Sequence, residues 1–363
     1  MPTIQEIEGE FQQLQLSLPI DHWMGIFPIN LYQGFWCPLL EPTISLQTHF
    51  EAHDTDIILA SLPKTGTTWL KSLLYAIINR KRFSDIDQHP LRSQNAHELV
   101  LQLEAKVYKN IQGCQPDLTK LPSPRLFATH IPYSSLPKSM KISDSKIIYV
   151  CRNPLDTFVS SWHFYRQLKV NMGLKHFYSQ LKVNMGFKHL FRQLKVILGF
   201  FYFYRQFKVN MIEEDFNMFS KGKFPYGPYE DHVLGYWKES IQNPNKVLFM
   251  EYEGLKEDPK AYVKKLAEFV GYPFSKEEEN KGIIDEIIKL CSLESLKEME
   301  VNKSGNFYGF FENKALFRKG EVGDWTNYLS PSIVKSFDQN IQEKFKDSGF
   351  SFTHYHPLTE APK

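Results

Sequence analysis

The sequence predicts an α/β fold, a single-domain parallel sheet flanked by helices. Short apolar runs bounded by turn residues have the length and composition of buried parallel strands. Segments with helical spacing follow three of these runs, and strands that alternate with helices in this way form doubly wound parallel sheets. The predicted strands cover residues 56–62, 125–129, 146–151 and 246–250.

Before the first strand lies an aromatic-rich N-terminal lead-in, residues 1–53. It has no strong periodicity, and its aromatic side chains are separated by prolines. We expect this lead-in to pack on the core of a domain that spans residues 54–355. A short C-terminal tail, residues 356–363, follows the domain.

The first strand runs directly into the heptapeptide Pro-Lys-Thr-Gly-Thr-Thr-Trp at residues 63–69, and a helical pattern follows. Strand, tight loop and helix form an anion cradle, because Gly66 permits an unusual backbone turn and the first amides of the helix are unpaired. ATP-binding loops require a leading glycine and a Gly-Lys-Ser/Thr order, whereas Lys64 precedes the only glycine here. The stretch therefore predicts a phosphate site that is related to the ATP-type loop but differs from it.

Two further predicted strands also end on polar residues. His130 follows the second strand and Arg152 follows the third. Ligands of doubly wound sheets bind beyond the carboxyl ends of the strands, so we expect both residues to lie beside the loop at Lys64. Residues 84–124 are polar and include a patch with helical spacing around residues 99–107.

A tandem repeat interrupts the domain at about residues 164–211. The unit Gln-Leu-Lys-Val begins at Gln167, Gln180 and Gln193, and Gln-Phe-Lys-Val begins at Gln206, at a constant spacing of 13 residues. On a helix, 13 residues advance by about 1300°, so the copies do not share one apolar stripe. The repeat is either a duplicated surface segment, an artefact of gene prediction, or an element that binds a membrane surface or a partner.

Composition argues against several classes of function. The formal net charge is +2, but residues 164–202 alone carry seven basic side chains and no acid, so the rest of the chain is net acidic. Because the basic charge is confined to one segment, we expect no nucleic-acid partner. No apolar run approaches about 20 residues, so we expect no integral membrane segment. The cysteines and histidines lack ligand spacing, so no metal is expected, and the acidic N-terminus lacks a signal sequence, which favours a cytoplasmic protein.

The loop, His130, the segment at Arg152 and a late Arg318-Lys319-Gly320 occur together in a recognisable order. In these motifs the chain resembles the cytosolic sulfotransferases, most closely the plant enzymes that act on flavonoids and other small hydroxylated metabolites. The resemblance covers about residues 20–350, interrupted by the repeat. It implies a P-loop-like (sulfotransferase) fold, the donor 3′-phosphoadenosine 5′-phosphosulfate (PAPS) as co-substrate, and an acceptor hydroxyl. The dimer motif of animal relatives is not reproduced, so we expect a monomer.

The resemblance also implies roles for individual residues. His130 corresponds to the general base and Lys64 to the residue that stabilises the departing 5′-phosphate. The other implied contacts are Thr65, Gly66, Thr67 and Thr68 with the 5′-phosphate, Trp69 with the adenine, Arg152 and Ser160 with the 3′-phosphate, Arg318, Lys319 and Gly320 with the same phosphate, and Cys291 and Leu293 with the adenine pocket. Glu230 stands where relatives have an aromatic residue near the adenine; either Tyr229 substitutes for it or stacking is weaker.

Two functions from different classes remain open. The first is an active sulfotransferase whose acceptor is a small aromatic or hydrophobic alcohol, such as a flavonoid, steroid or hydroxyjasmonate-like molecule, bound among Phe35, Trp36, Tyr133, Trp162 and Phe164. The second is a catalytically impaired duplicate that binds the nucleotide but not the acceptor, because the repeat begins beside the expected acceptor pocket. An ATP-dependent kinase is disfavoured by the order of residues in the loop and by the lack of a strand-end Asp for Mg²⁺.

Overall fold

The computed structural model describes residues 4–109, 116–183, 208–307 and 311–353. The strands are β1 Ile20–Trp23, β2 Phe27–Tyr32, β3 Phe35–Cys37, β4 Ile57–Ser61, β5 Leu101–Gln102, β6 Leu126–Thr129, β7 Lys146–Cys151, β8 Val247–Glu251, β9 Asn306–Phe307 and β10 Phe311–Glu312. Five of them form a parallel sheet in the order β5-β6-β4-β7-β8. The predicted fold class is confirmed, because helices pack on this central parallel sheet.

Helices surround the sheet. They are α1 Ile4–Ser17, α2 Leu40–His49, α3 Thr67–Asn79, α4 Ala96–Leu99, α5 Lys138–Ile142, α6 Pro154–Val183, α7 Lys208–Ser220, α8 Tyr229–Gln242, α9 Tyr252–Glu257, α10 Pro259–Phe269, α11 Lys276–Asn280, α12 Ile283–Leu290, α13 Leu293–Glu298, α14 Glu300–Lys303 and α15 Pro331–Phe345. Two apolar clusters cover the two faces of the sheet, one including Phe127 and Tyr149 and the other Leu59 and Ile148. No helix in the part of the chain that is described has the length and hydropathy needed to cross a membrane.

The central strands are buried because apolar side chains occupy both of their faces. All five residues of β4 are buried, as are all but the first of β7. In the parallel register Ala60 lies opposite Thr129, and Ser61 lies opposite Val150. The carboxyl ends of β4, β6 and β7 therefore meet at one edge, which places the residues that follow them side by side.

The lead-in forms α1, a small antiparallel sheet of β1, β2 and β3, and then α2. Trp23, Ile29 and Phe35 are at most 2% exposed and belong to the main apolar cluster. The amide of Trp36 donates to the Gly227 carbonyl at 2.8 Å, and this contact joins the lead-in to the segment before α8.

The expectation of a helical patch at residues 99–107 is only partly right. Helix α4 ends at Leu99, β5 pairs with β6, and Leu103–Val107 form a short π-helix. The helical run breaks at Val100, whose backbone is extended and whose carbonyl accepts a hydrogen bond from Lys71 Nζ at 3.0 Å. A pairing partner distant in sequence overrides local spacing in this segment.

The tandem repeat is partly described. Its first copy and the start of its second belong to α6, which runs to Val183, and the last residues of its fourth copy open α7 at Lys208. Lys169 Nζ donates to the Met24 carbonyl at 2.9 Å, so the first copy contacts the lead-in. The copy that begins at Gln193 lies outside the described residues, as does the tail at 356–363.

Candidate active site at the carboxyl edge of the sheet

A cavity of about 750 Å³ opens at the edge where β4, β6 and β7 end. Lys64, His130 and Arg152, which follow these three strands, all line it. Polar and basic residues line the side near the β4–α3 loop, and aromatic side chains line the side near α6 and the lead-in. One cavity therefore joins an anion-binding region to an apolar region.

The loop between β4 and α3 requires its glycine. Gly66 is the N-cap of α3 with φ 112°, a left-handed conformation that L side chains rarely adopt. A Cβ atom at this position would lie 2.8 Å from Tyr252 Cδ2. Thr67 and Thr68 follow in the first turn, where backbone amides point beyond the helix and favour an anion.

The cavity is electropositive around Lys64. Lys64 Nζ lies 4.3 Å from the centroid of the Phe164 ring and 3.5 Å from the Ala315 carbonyl oxygen. Burial, followed by the nearby guanidinium groups of Arg318 and Arg152, lowers the pKa of Lys64 from 10.5 to about 7. Three cationic side chains thus face one region, where an anion would relieve their mutual repulsion.

The tautomer of His130 follows from its contacts. His130 Nδ1 lies 2.7 Å from the Ser61 carbonyl oxygen, which can only accept, so Nδ1 carries the proton and Nε2 carries a lone pair. The backbone of His130 is held on both sides: its amide donates to Glu104 Oε1 at 2.8 Å, and its carbonyl accepts from His232 Nε2 at 2.9 Å. Burial is the main cause that lowers the pKa of His130 from 6.5 to about 4, and nearby Lys71 and Lys64 lower it further. The imidazole is therefore neutral near pH 7.

Two arginines on the loop side have unused donors. The Nε atoms of Arg152 and Arg318 are buried and have no hydrogen-bond partner among the described residues. Arg152 donates through Nη2 to the Glu321 carbonyl at 2.5 Å, and Arg318 pairs with Asp324. Ser160, one turn and a half into α6, lines the same wall. The buried, unpaired guanidinium donors fit an anionic group that accepts from them.

An aromatic and aliphatic wall lies next to the arginines. Trp69 and Tyr252 meet edge to face with ring centroids 5.7 Å apart, and Cys291 and Leu293 line the cavity beside them. Gly320 has φ 64°, and a Cβ atom there would lie 2.7 Å from a methyl carbon of Leu293. These aromatic and aliphatic side chains offer an apolar surface against which a planar ring could lie.

Comparison with known proteins identifies the family. The sulfotransferase domain profile matches residues 54–349. The chain belongs to the sulfotransferase family. It is 40% identical to cytosolic sulfotransferase 15 of Arabidopsis thaliana over 360 residues, which cover 97% of this chain and 90% of the relative. The predicted family and the predicted enzyme class, a sulfotransferase, are confirmed.

Two solved structures extend this similarity. A crystallised Arabidopsis thaliana sulphotransferase is 36% identical, with a TM-score of 0.69 and coverage of 97% of this chain and 99% of that one. A mouse sulfotransferase complexed with PAP is 26% identical, with a TM-score of 0.60 and coverage of 87% and 94%. This sulfotransferase thus shares both sequence and fold with these proteins over most of its length.

Three residues that the sequence placed in the donor site do not line the cavity of this sulfotransferase. The Thr65 hydroxyl lies 2.9 Å from the Leu62 carbonyl and 3.2 Å from the Val150 carbonyl, both inside the protein. The Tyr229 ring is buried, and its hydroxyl donates to the Arg152 carbonyl at 2.5 Å. Lys319 Nζ turns to Asp324 Oδ1 at 2.6 Å.

These placements revise the predicted contacts. Tyr229 does not substitute for the missing aromatic residue, because it lies behind Arg152 and holds that residue's backbone. Its neighbour Glu230 is buried and pairs with Lys344. Trp69 and Tyr252 supply the aromatic wall instead. Thr65 can contribute its amide to the loop, whereas its hydroxyl already has acceptors in the core.

The apolar half of the cavity is also built differently from the prediction. Of the five aromatic residues predicted there, only Phe164 lines it; Trp162 donates to Asp215 at 2.9 Å, and Tyr133 packs on Tyr236. Phe35 is buried behind Tyr226, and their ring centroids are 6.5 Å apart. The aromatic residues that line the cavity on this side are Phe27, Phe164, Tyr165, Tyr226, Phe307 and Phe311.

Sequence reasoning missed residues that hold the site together. Asp156 is fully buried, and it accepts from the amides of Gly323 at 2.8 Å and Trp325 at 3.0 Å. This contact fastens the Arg318 segment to the start of α6. Lys71 and His97 lie directly beneath the loop, joined at 3.2 Å. A lysine among the apolar positions of α3 was the available signal for Lys71, whereas no local pattern marks His97.

Among the residues that are described, no group of three or more His, Cys, Asp or Glu side chains could hold a metal ion.

Proposed function

We propose that this sulfotransferase moves a sulfuryl group from PAPS to a hydroxyl of a small aromatic or hydrophobic acceptor, with His130 as the base and Lys64 as the residue that stabilises the leaving group. One observation carries the proposal: a single cavity contains the β4–α3 loop, the imidazole of His130 and an aromatic chamber. Transfer requires that donor and acceptor oxygens lie in line on either side of sulfur. A cavity that reaches from the loop to the chamber permits that arrangement.

The donor half fits a nucleotide with two phosphates. We propose that the first-turn amides of α3, with Lys64, Thr67 and Thr68, hold the 5′-phosphate, and that Arg152, Ser160 and Arg318 hold the 3′-phosphate. The buried Nε donors of both arginines support the second assignment, since an unpaired guanidinium donor in a buried wall is costly without an acceptor. The mouse relative complexed with PAP supports the same class of nucleotide.

Lys64 and His130 suit their proposed roles through charge. A bound phosphate would offset the cationic repulsion that lowers the pKa of Lys64, so its ammonium group would be charged when it faces the departing phosphate. His130 is neutral and has its Nε2 lone pair available because Nδ1 donates to Ser61. Nε2 can therefore accept the proton of an acceptor hydroxyl as that oxygen attacks sulfur.

The acceptor half favours aromatic or hydrophobic alcohols. Phe27, Phe164, Tyr165 and Phe311 line it, and Tyr226 packs next to His130 with ring centroids 5.4 Å apart. Such walls bind a planar or hydrophobic molecule and exclude water from the reacting hydroxyl. Flavonoids, steroids and hydroxyjasmonate-like alcohols are therefore the classes to test first.

The experiment is transfer of a radiolabelled sulfuryl group from PAPS to a panel of these alcohols. In parallel, calorimetric titration measures the binding of PAP, 3′-phosphoadenosine 5′-phosphate, which is the donor without its sulfuryl group. The proposal expects PAP binding and labelling of at least one hydroxylated acceptor; the same molecule methylated at its hydroxyls should stay unlabelled. PAP binding without transfer to any acceptor would favour the catalytically impaired duplicate. The specific observation behind that alternative is that Phe164, Tyr165 and Leu168, from the first repeat copy, form part of the acceptor wall.

We further propose a cytosolic monomer. The Arabidopsis relative is named a cytosolic sulfotransferase, and the animal dimer motif is absent from the segment after Asp324 and Trp325. Light scattering coupled to size exclusion checks the oligomeric state, because a dimer would double the mass expected from the 42.6 kDa chain.

A further inference from the structure

Three side chains form a connected row beneath the β4–α3 loop. Lys71, on the second turn of α3, is fully buried, and its Nζ lies 3.0 Å from the Val100 carbonyl and 3.2 Å from His97 Nδ1. His97 Nε2 lies 3.0 Å from Thr68 Oγ1. Thr68 lines the cavity, so the row leads from a buried amine to the surface that would face a bound phosphate.

The hydrogen bonds in this row have a direction. Burial lowers the pKa of the Lys71 amine from 10.5 to about 7. In its ammonium form this group has only donors, so His97 Nδ1 then accepts from it. Burial and the charge of Lys71 keep the pKa of His97 well below its ordinary value, so the ring is neutral and Nε2 carries the proton. Nε2 then donates to Thr68 Oγ1, which leaves the hydroxyl hydrogen of Thr68 to point elsewhere.

We infer that Lys71 and His97 are positioning residues that orient the hydroxyl of Thr68 as a donor to the 5′-phosphate of the nucleotide. The inference rests on the proposed PAPS site. Without this row, the Thr68 hydroxyl can rotate to a backbone carbonyl three or four residues earlier in the loop, and that competes with the ligand. A hydrogen bond accepted from His97 both fixes the rotamer and polarises the hydroxyl toward the phosphate.

The position of Lys71 supports this role over simple stabilisation. A methionine in its place would fill the same apolar surroundings, whereas an amine in a fully buried site loses its hydration and needs acceptors to compensate. One acceptor is the carbonyl of Val100, the residue that caps the end of α4, and the other is the His97 ring, which also contacts Thr68. The amine therefore links the end of α4 to the loop that faces the cavity.

The test compares two nucleotides that differ only at the 5′ position. PAP carries both phosphates, and adenosine 3′-phosphate lacks the one that Thr68 would contact. Calorimetric titration of Lys71→Met should show PAP binding weakened about fivefold to tenfold, with adenosine 3′-phosphate binding unchanged within about twofold. His97→Leu should behave in the same way, whereas His97→Gln, whose amide can accept from Lys71 and donate to Thr68, should bind PAP within about twofold of the wild type.

A double-mutant cycle separates positioning from general stability. In a Thr68→Val background, Lys71→Met should cause no further loss of PAP affinity, because the hydroxyl that it orients is gone. Equal weakening of both nucleotides by Lys71→Met, or an undiminished effect in the Thr68→Val background, overturns the inference. Failure of the wild-type protein to bind PAP at all would instead overturn the proposed donor site, so the two failures can be told apart.

Discussion

Asp156 connects the start of α6 to the segment that carries Arg318, and its replacement by asparagine is the most informative single change. Its carboxylate accepts from the amides of Gly323 and Trp325, accepts from Asn153 Nδ2 at 2.9 Å, and lies 3.4 Å from Arg152 Nη2. The change Asp156→Asn keeps the shape of the side chain but replaces one acceptor oxygen with a donor and removes the charge.

The magnitude follows from these contacts. In either orientation of the new amide, its NH₂ group faces at least one backbone N–H, so a buried donor loses its acceptor at a cost of about 1–3 kcal/mol. Arg152, only 4% exposed, also loses its carboxylate partner. Together these losses should lower the free energy of unfolding by about 3 kcal/mol.

The assay has two readouts. Urea unfolding measures the loss of stability, and calorimetry measures the preference for PAP over adenosine 5′-phosphate, which lacks the 3′-phosphate. We expect the variant to lose most of that preference, because the segment bearing Arg318 is no longer fastened beside Arg152. The matched control is Asp285→Asn, because Asp285 is exposed and pairs with Lys260. This change should alter the free energy of unfolding by no more than about 0.5 kcal/mol. A stability loss below about 1 kcal/mol, or an unchanged nucleotide preference in the folded variant, would refute the reasoning.

Three further predictions follow from the loop and the buried histidines. Gly66→Ala should lower the melting temperature and abolish PAP binding, because the left-handed backbone and the Tyr252 ring both exclude a Cβ atom; calorimetry with normal affinity would contradict this. Lys64→Met should lower the rate of sulfuryl transfer in a single turnover about 100-fold to 1000-fold, because one preorganised charge at the leaving group is lost. The pKa of His130 is lowered to about 4 and that of His232 to about 3, mainly by burial, so the unfolded chain binds protons first as pH falls. The stability present above about pH 6.5 should therefore decrease steadily toward pH 4, and a urea midpoint equal at pH 7 and pH 4.5 would count against it.

Local patterns were sufficient to predict the framework of the sheet. The apolar runs at β4, β6, β7 and β8 and the Gly66 turn are properties of a few neighbouring residues, so the fold class followed from them. Strand β5 has only two residues, Leu101–Gln102, and its pairing with β6 gives no periodic signal. An element that short is recognisable only from its partner.

Side-chain directions in the site depend on contacts between distant segments. Asp156 and Trp325 are 169 positions apart, and the row from Lys71 to Thr68 passes through His97 on another helix. Composition indicated that aromatic residues would line a pocket, but the burial of Trp162 against Asp215 follows from the packing of α6 on α7. Such long-range pairs decide which member of a motif faces the ligand.

We propose that His130 acts as the base in a cavity that also holds the donor. The most direct measurement is single-turnover transfer of a labelled sulfuryl group by wild type and by His130→Ala, with PAP affinity measured on the same samples. We expect His130→Ala to bind PAP within about threefold of the wild type and to transfer the sulfuryl group at least about 100-fold more slowly. Transfer by His130→Ala at a rate close to that of the wild type would contradict it.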